Sequence, residues 1–199
     1  SLHTSLLPSM QELLPSLLLL TSHPLAATRY MAARVLSAVA QLEPLVVLSA
    51  VITSLLPALQ DSLSLARRAG ALEVLHCLCE ELGLQVVPYI VLLIVPVLGT
   101  MSDPQAQVRL LATSTFATLV RLLPLDGGLA DGKLGGLSQE LAEMKERERV
   151  FLDQLLNNKK AEQYKLSVPV KAELRSYQVA GVNWLAFLAR YRLHGILCD

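Results

Sequence analysis

The sequence predicts an all-α chain, a solenoid of stacked helix pairs, followed by a linker helix and the opening of an incomplete α/β segment. Three observations predict it. The chain is 53% hydrophobic but 5% aromatic, so its apolar content is mostly Leu, Val and Ala, a mixture that suits helix-on-helix packing. An aliphatic-proline step recurs as Leu14-Pro15, Leu56-Pro57 and Val95-Pro96, at spacings of 42 and 39 residues, and a period near 40 marks an array of helix pairs. Charge changes near residue 130: residues 1–130 carry six arginines, no lysine and eight acidic side chains, whereas 131–199 carry eleven basic and nine acidic. The total is neutral, with a pI near 6.9, so no strongly basic nucleic-acid surface is visible in it.

The helices follow from the pattern in order. Apolar periodicity predicts them over 4–20, 25–41, 45–60, 65–82, 85–101 and 105–122. Each aliphatic-proline step is followed by a polar break: Thr21-Ser22-His23-Pro24, Gln60-Asp61-Ser62 and Ser102-Asp103-Pro104. After each break comes an arginine: Arg29, then Arg67 or Arg68, then Arg109. Asp61 precedes Arg67 by six residues, as Asp103 precedes Arg109. Asp103-Pro104 reads as a helix N-cap with proline at the first helical position. A single helix pair cannot bury its apolar face, so neighbouring pairs must stack.

These units resemble HEAT repeats. The resemblance implies a turn aspartate, a basic residue in the second helix that reaches a neighbouring repeat, and a curved surface that binds proteins. The aspartate–arginine ladder is expected to be a packing device. Leu82 to Ser102 is 21 residues without a charge, long enough to span a bilayer. Gly83, Gln85, Pro88, Pro96 and Gly99 interrupt it and no basic cluster flanks it, so a buried helix is expected there and no membrane. Cys77, Cys79 and Cys198 suit no disulfide framework and fit a reducing compartment; no histidine stands at metal-ligand spacing from them. No metal site is expected.

Residues 125–137 read as a flexible linker after the repeats of 1–124. Gly127 and Gly132-Lys133 imitate a phosphate-binding loop, but Leu134 stands where a Mg²⁺-binding hydroxyl is required, and no strand leads in. Residues 138–157 read as a charged bridging helix with one apolar seam, Leu137, Leu141, Met144, Phe151 and Leu155, in which Glu148 fills the missing step.

Residues 158–199 are the specific part. A helix from about Leu174 places Leu174, Tyr177, Gly181, Trp184, Leu185, Leu188 and Tyr191 on one face, with Gly181 expected to pack closely against another backbone. Leu193 to Asp199 reads as a buried strand. The run Leu174-Arg175-x-Tyr177-Gln178-x-x-Gly181-Val182-x-Trp184-Leu185 resembles the opening motif of SNF-type ATPases, DNA-translocating members of helicase superfamily two. Gly195-Ile-Leu-Cys-Asp199 looks like the strand that feeds their phosphate loop. Within that family the similarity is to the remodellers associated with TATA-binding protein, in which HEAT repeats precede the motor.

The resemblance implies a RecA-like first lobe, ATP and Mg²⁺ in the intact parent, and a nuclear protein that strips TATA-binding protein from promoter DNA. It implies that Gln178 reads adenine, since an amide can both donate and accept a hydrogen bond, with Arg175 and Tyr177 shaping the base pocket. The sequence ends before the glycines and lysine of the phosphate loop, so no catalytic residue, no tight nucleotide binding and no ATP hydrolysis are expected of these 199 residues. The other reading is a HEAT scaffold that binds a protein partner without a motor.

Overall fold

The computed structural model describes residues 7–126, 139–156, 163–165, 171, 173–191 and 195–197. Every regular element among them is helical: α1 Leu7–Leu20, α2 Ala26–Ala40, α3 Pro44–Ser54, α4 Leu65–Leu82, α5 Ile90–Thr100, α6 Ala106–Asp126, α7 Gln139–Leu156 and α8 Ser176–Tyr191. Short 3-10 helices occupy Pro57–Gln60 and Gly83–Tyr89. The expected helix 65–82 is found to the residue. The expected 45–60 and 85–101 are each broken, because Pro57 and Pro88 lack the N–H that an α-turn requires and tighten the chain into 3-10 geometry.

The chain forms two compact units, residues 1–146 and 147–199, and the division falls within α7. In the first unit α2 packs on α4 and α4 on α6, while α1 lies against α2 and α5 against α6. Leu36, Leu72, Leu75, Leu78 and Leu119 from the second helix of each pair are fully buried, as are Leu48, Ile52, Ile90, Leu92 and Leu93 from the first helices and their junctions. Each such side chain contributes about 1.5–3 kcal/mol relative to exposure. The run Leu65–Thr100 has the length and apolar composition of a membrane span, but more than half of it is buried inside the protein. Gly83, at φ 51°, and the 3-10 helix after it divide the run.

Gly70 marks a close approach of two helix pairs. A Cβ there would collide with the carbonyl of Thr21, itself fully buried at the end of α1. No side chain larger than hydrogen fits without moving backbone.

The seam of α7 is seen in part, with two additions. Leu141 and Phe151 are buried, Met144 and Glu148 are half-buried, Leu155 is exposed, and Leu137 lies outside the described residues; Leu152 is buried in addition. Lys145 is also buried, and its ammonium donates to the Pro88 carbonyl at 3.0 Å. The aliphatic stem of a lysine can serve as core when its charge finds an acceptor.

Three expectations for the second unit are corrected. The buried residue of α8 is Phe187, which the expected face did not include; of that face Leu174, Tyr177 and Leu185 are exposed, whereas Gly181, Trp184 and Leu188 are half-buried. Phe187 turns inward because it stacks on Phe151, centroids 5.8 Å apart and planes 6° from parallel. A Cβ on Gly181 would meet nothing within 4 Å, so that glycine marks no close approach. Gly195 does: a Cβ there would lie 2.7 Å from the Trp184 ring. The strand expected over 193–199 is not formed at 195–197, where the chain is irregular and Ile196 is 86% exposed. A strand needs a neighbour to satisfy its backbone, and no strand exists among the described residues to pair with it.

Candidate functional site

Two constellations carry the polar chemistry. The first is the arginine ladder of the helix stack. α2, α4 and α6 begin at residues 26, 65 and 106, so Arg29, Arg68 and Arg109 hold the same fourth position. Each turns back to hold the carbonyls of the preceding turn. Arg29 Nη1 donates to the His23 and Pro24 carbonyls, both at 3.0 Å. Arg109 Nη1 donates to those of Asp103 at 2.7 Å and Pro104 at 2.9 Å. Arg68 Nη1 donates to the Asp61 carbonyl at 2.7 Å. These carbonyls lie in turns, outside the helical hydrogen-bond pattern, and the guanidinium satisfies them.

The same guanidinium reaches the next helix pair. Arg68 grips Asp103 with two nitrogens, Nε to Oδ2 at 2.6 Å and Nη2 to Oδ1 at 3.4 Å, both side chains nearly fully buried. Arg29 reaches Glu73 of α4 through one contact of 3.4 Å. Asp103 also accepts from the Gln105 amide at 2.8 Å, forming an Asx turn ahead of α6. The helix proper begins at Ala106, so Pro104 precedes it rather than opening it, a correction to the expected cap.

Asp61 works locally. It accepts from the amides of Leu63 at 3.0 Å and Ser64 at 3.2 Å, and from Arg67 at 2.7 Å. The Leu63 amide leads in holding its carboxyl below the ordinary range, with the Ser64 amide and Arg67 adding to it. Ser64 then caps α4 by accepting from the Arg67 amide. Burial raises the Glu73 carboxyl above its ordinary value, against the pull of Arg29.

The second constellation is the start of α8. Arg175, Tyr177 and Gln178 stand together there, all exposed, Tyr177 by 64%. The Gln178 side-chain oxygen accepts from the Arg175 amide at 2.9 Å. This is half of a capping box, in which the third helical residue reaches back to the cap. Sequence reading missed this local duty, although a Gln three residues after the cap is its signal. The amide nitrogen of Gln178 remains a donor for a ligand.

A cavity of about 710 Å³ lies elsewhere on α8, lined by Tyr164, Lys165, Asn183, Phe187 and Arg190 among others. The Tyr164 amide donates to Asn183 Oδ1 at 2.8 Å, pinning one wall. None of the three proposed adenine residues lines it. The glycine-rich segment 127–137 and Cys198 lie outside the described residues.

Cys77 and Cys79 are both buried, and burial pushes the Cys79 thiol up to about 12. Such thiols are inert at neutral pH. Among the described residues no group of three His, Cys, Asp or Glu side chains could hold a metal ion.

No protein-family profile matches the chain. Individual proteins match it from end to end. It is 48% identical to TATA-binding protein-associated factor 172 of Homo sapiens over 100% of the chain and 11% of that protein. It is 45% identical to TATA-binding protein-associated factor MOT1 of Saccharomyces cerevisiae over 93% of the chain and 10% of that protein. It is 40% identical to TATA-binding protein-associated factor BTAF1 of Arabidopsis thaliana over 98% of the chain and 9% of that protein. Each match extends over nearly the whole chain, the chain spans about a tenth of these relatives' length, and it is a homologue of the TATA-binding protein-associated factors.

Proposed function

We propose that the chain is the part of a TATA-binding protein-removing remodeller in which HEAT-type repeats meet an SNF-type motor. The observation that carries this reading is the identity of 40–48% to TATA-binding protein-associated factors. The arginine ladder supports a continuous solenoid, since equivalent residues make equivalent turn contacts in three successive helix pairs. The repeats, expected over 1–124, run to the end of α6 at Asp126; the linker expected over 125–137 follows that helix, then a bridging helix 138–157 and the entrance of the first ATPase lobe 158–199.

In the intact parent ATP and Mg²⁺ drive the release of TATA-binding protein from promoter DNA in the nucleus. Gln178, at the exposed start of α8, would donate through its side-chain nitrogen to the adenine ring, with Arg175 and Tyr177 beside it. These 199 residues hold neither the lysine nor the acidic group that phosphoryl transfer requires in this family, so they bind and position rather than catalyse.

Purified 1–199 is expected to show no DNA-stimulated ATP turnover above a buffer control. A polypeptide extended through the phosphate loop is expected to hydrolyse ATP and release TATA-binding protein from a labelled TATA duplex. Turnover by 1–199 would remove the non-catalytic assignment. An extended protein that hydrolyses ATP and leaves the duplex complex intact would remove the remodeller assignment.

A further inference from the structure

The stack has an inward and an outward side at every helix, and α4 displays both. Its outward positions are covered by α6, as those of α2 are covered by α4. Several positions reach across, Arg34 to Glu81 and His76 to Thr115 among them, and two bear on α6. Counted from each helix start, the fourth is Arg29, Arg68 and Arg109; the first two grip an acid of the following pair. The sixteenth is Gln41, which directly follows α2, then Glu80 and Arg121. Gln41 donates to Glu81 at 3.0 Å, and Glu80 accepts from the Thr118 hydroxyl at 3.2 Å.

On α6 these positions are both arginine, and both are exposed. Thr113, Ala117 and Val120 between them are exposed as well, where Ala33, Ser37 and Ala40 of α2 are buried. No acidic residue occurs between Ala106 and Arg121. Arg109 is also preset. Its Nη1 is held by two turn carbonyls, as Arg29 is, which fixes the plane of the fork and directs it outward. A guanidinium held this way loses little freedom when a carboxylate arrives.

We propose that the outward face of α6 is a docking surface for an acidic α-helix of a partner protein, with carboxylates received by Arg109 and Arg121. The two arginines are twelve residues apart, which on an α-helix is about 18 Å along the axis. The partner helix therefore carries its carboxylates at about that separation, with small or apolar residues between them to lie on Thr113, Ala117 and Val120. The Arg29–Glu73 contact, in which an arginine held by two turn carbonyls meets a carboxylate in the middle of a helix, shows the geometry that the Arg109 contact would take. The inference rests on the repeat register proposed above.

The test uses the full 199-residue chain and a synthetic helical peptide bearing two glutamates twelve residues apart with alanines and leucine between them. Binding is read by fluorescence anisotropy and is expected to weaken as salt is raised. Arg121→Glu, which touches no turn, is expected to weaken binding by about tenfold or more. Arg109→Lys keeps the charge and loses the fork, and is expected to weaken it several-fold. A peptide with glutamines in place of the glutamates is expected to bind no variant. Equal affinity for the native chain and Arg121→Glu overturns the proposal. So does tighter binding of a 20-base-pair duplex, which would make phosphate the ligand. Circular dichroism establishes that the variant is folded: a folded Arg121→Glu chain that binds normally sinks the docking surface and leaves the proposed function standing, and if that variant loses helix the same comparison with Arg121→Gln decides.

Discussion

Two joints in the helix stack use the same arginine and differ in the acid it finds. At the joint between α4 and α6, Arg68 meets Asp103, a residue of the turn that opens the next pair, and two nitrogens meet two oxygens. At the joint between α2 and α4, Arg29 meets Glu73 in the middle of a helix through one 3.4 Å contact. There Arg29 Nε and Glu73 Oε2 are buried with no hydrogen-bond partner. The difference begins one residue upstream. Asp103 stands three positions before the first residue of α6, whereas Asp61 stands four before that of α4. The extra residue lets Asp61 turn inward onto the Leu63 and Ser64 amides and onto Arg67. Arg29 is left without a turn aspartate and takes what α4 offers. A ladder of this kind is therefore set by turn length as much as by residue type. A buried pair holds a joint firmly only when both of its groups are fully matched.

The comparison can be broken most directly at its strong end. Asp103→Ala leaves the Arg68 guanidinium buried without its carboxylate and is expected to cost about 3–5 kcal/mol of unfolding free energy, read by urea denaturation. A cost below about 1 kcal/mol would mean that the pair is not what holds this joint. Next comes the close approach at the other joint. Gly70→Ala drives a methyl group into the Thr21 carbonyl and is expected to cost about 1–3 kcal/mol. A neutral result would show that the α2–α4 joint yields, sharpening the contrast in the opposite sense.

Glu73→Gln is expected to change stability by less than about 1 kcal/mol at pH 7, because an amide oxygen still accepts from Arg29 while the desolvated charge disappears. The pH dependence has a defined sign. The folded carboxyl of Glu73 lies above its ordinary value, chiefly through burial. In the interval between the unfolded and folded values the folded state binds more protons, so stability falls as pH rises through it. The native chain is therefore expected to gain on Glu73→Gln as pH is lowered from 7 towards 4.5, measured as a rise in the native Tm minus the variant Tm. A fall in that signed difference would contradict the assigned direction. Smallest of all is Arg67→Ala. It removes an exposed contact to Asp61 and is expected to cost at most about 1 kcal/mol, less at high salt.

Much of this was legible before any coordinates. The recurrence of aliphatic-proline steps, polar breaks and arginines pointed to three helix pairs and to Arg29 and Arg109, since helix periodicity and turn chemistry are local; it left Arg67 and Arg68 undivided, and the matched spacing from Asp61 and Asp103 favoured Arg67, whereas Arg68 holds the equivalent position. The motif around Gln178 pointed to the relatives that the comparisons then found. Local pattern went wrong where one side chain's place depended on a distant one. Phe187 faces inward because Phe151, 36 residues earlier, supplies a ring to stack on. Lys145 is buried because the carbonyl of Pro88 accepts its charge from 57 positions away.

The sequence by itself determined that the chain is helical, where its turns fall, that an arginine follows each of them and which proteins it resembles. These depend on contacts within a few residues, which spacing encodes directly. Only the tertiary structure decided which acid each arginine grips, why Gly70 must be glycine, and which face of α6 is left open. Those depend on residues that are neighbours in space and 35 to 50 apart in the chain, where a one-residue change in turn length moves a carboxylate from one partner to another.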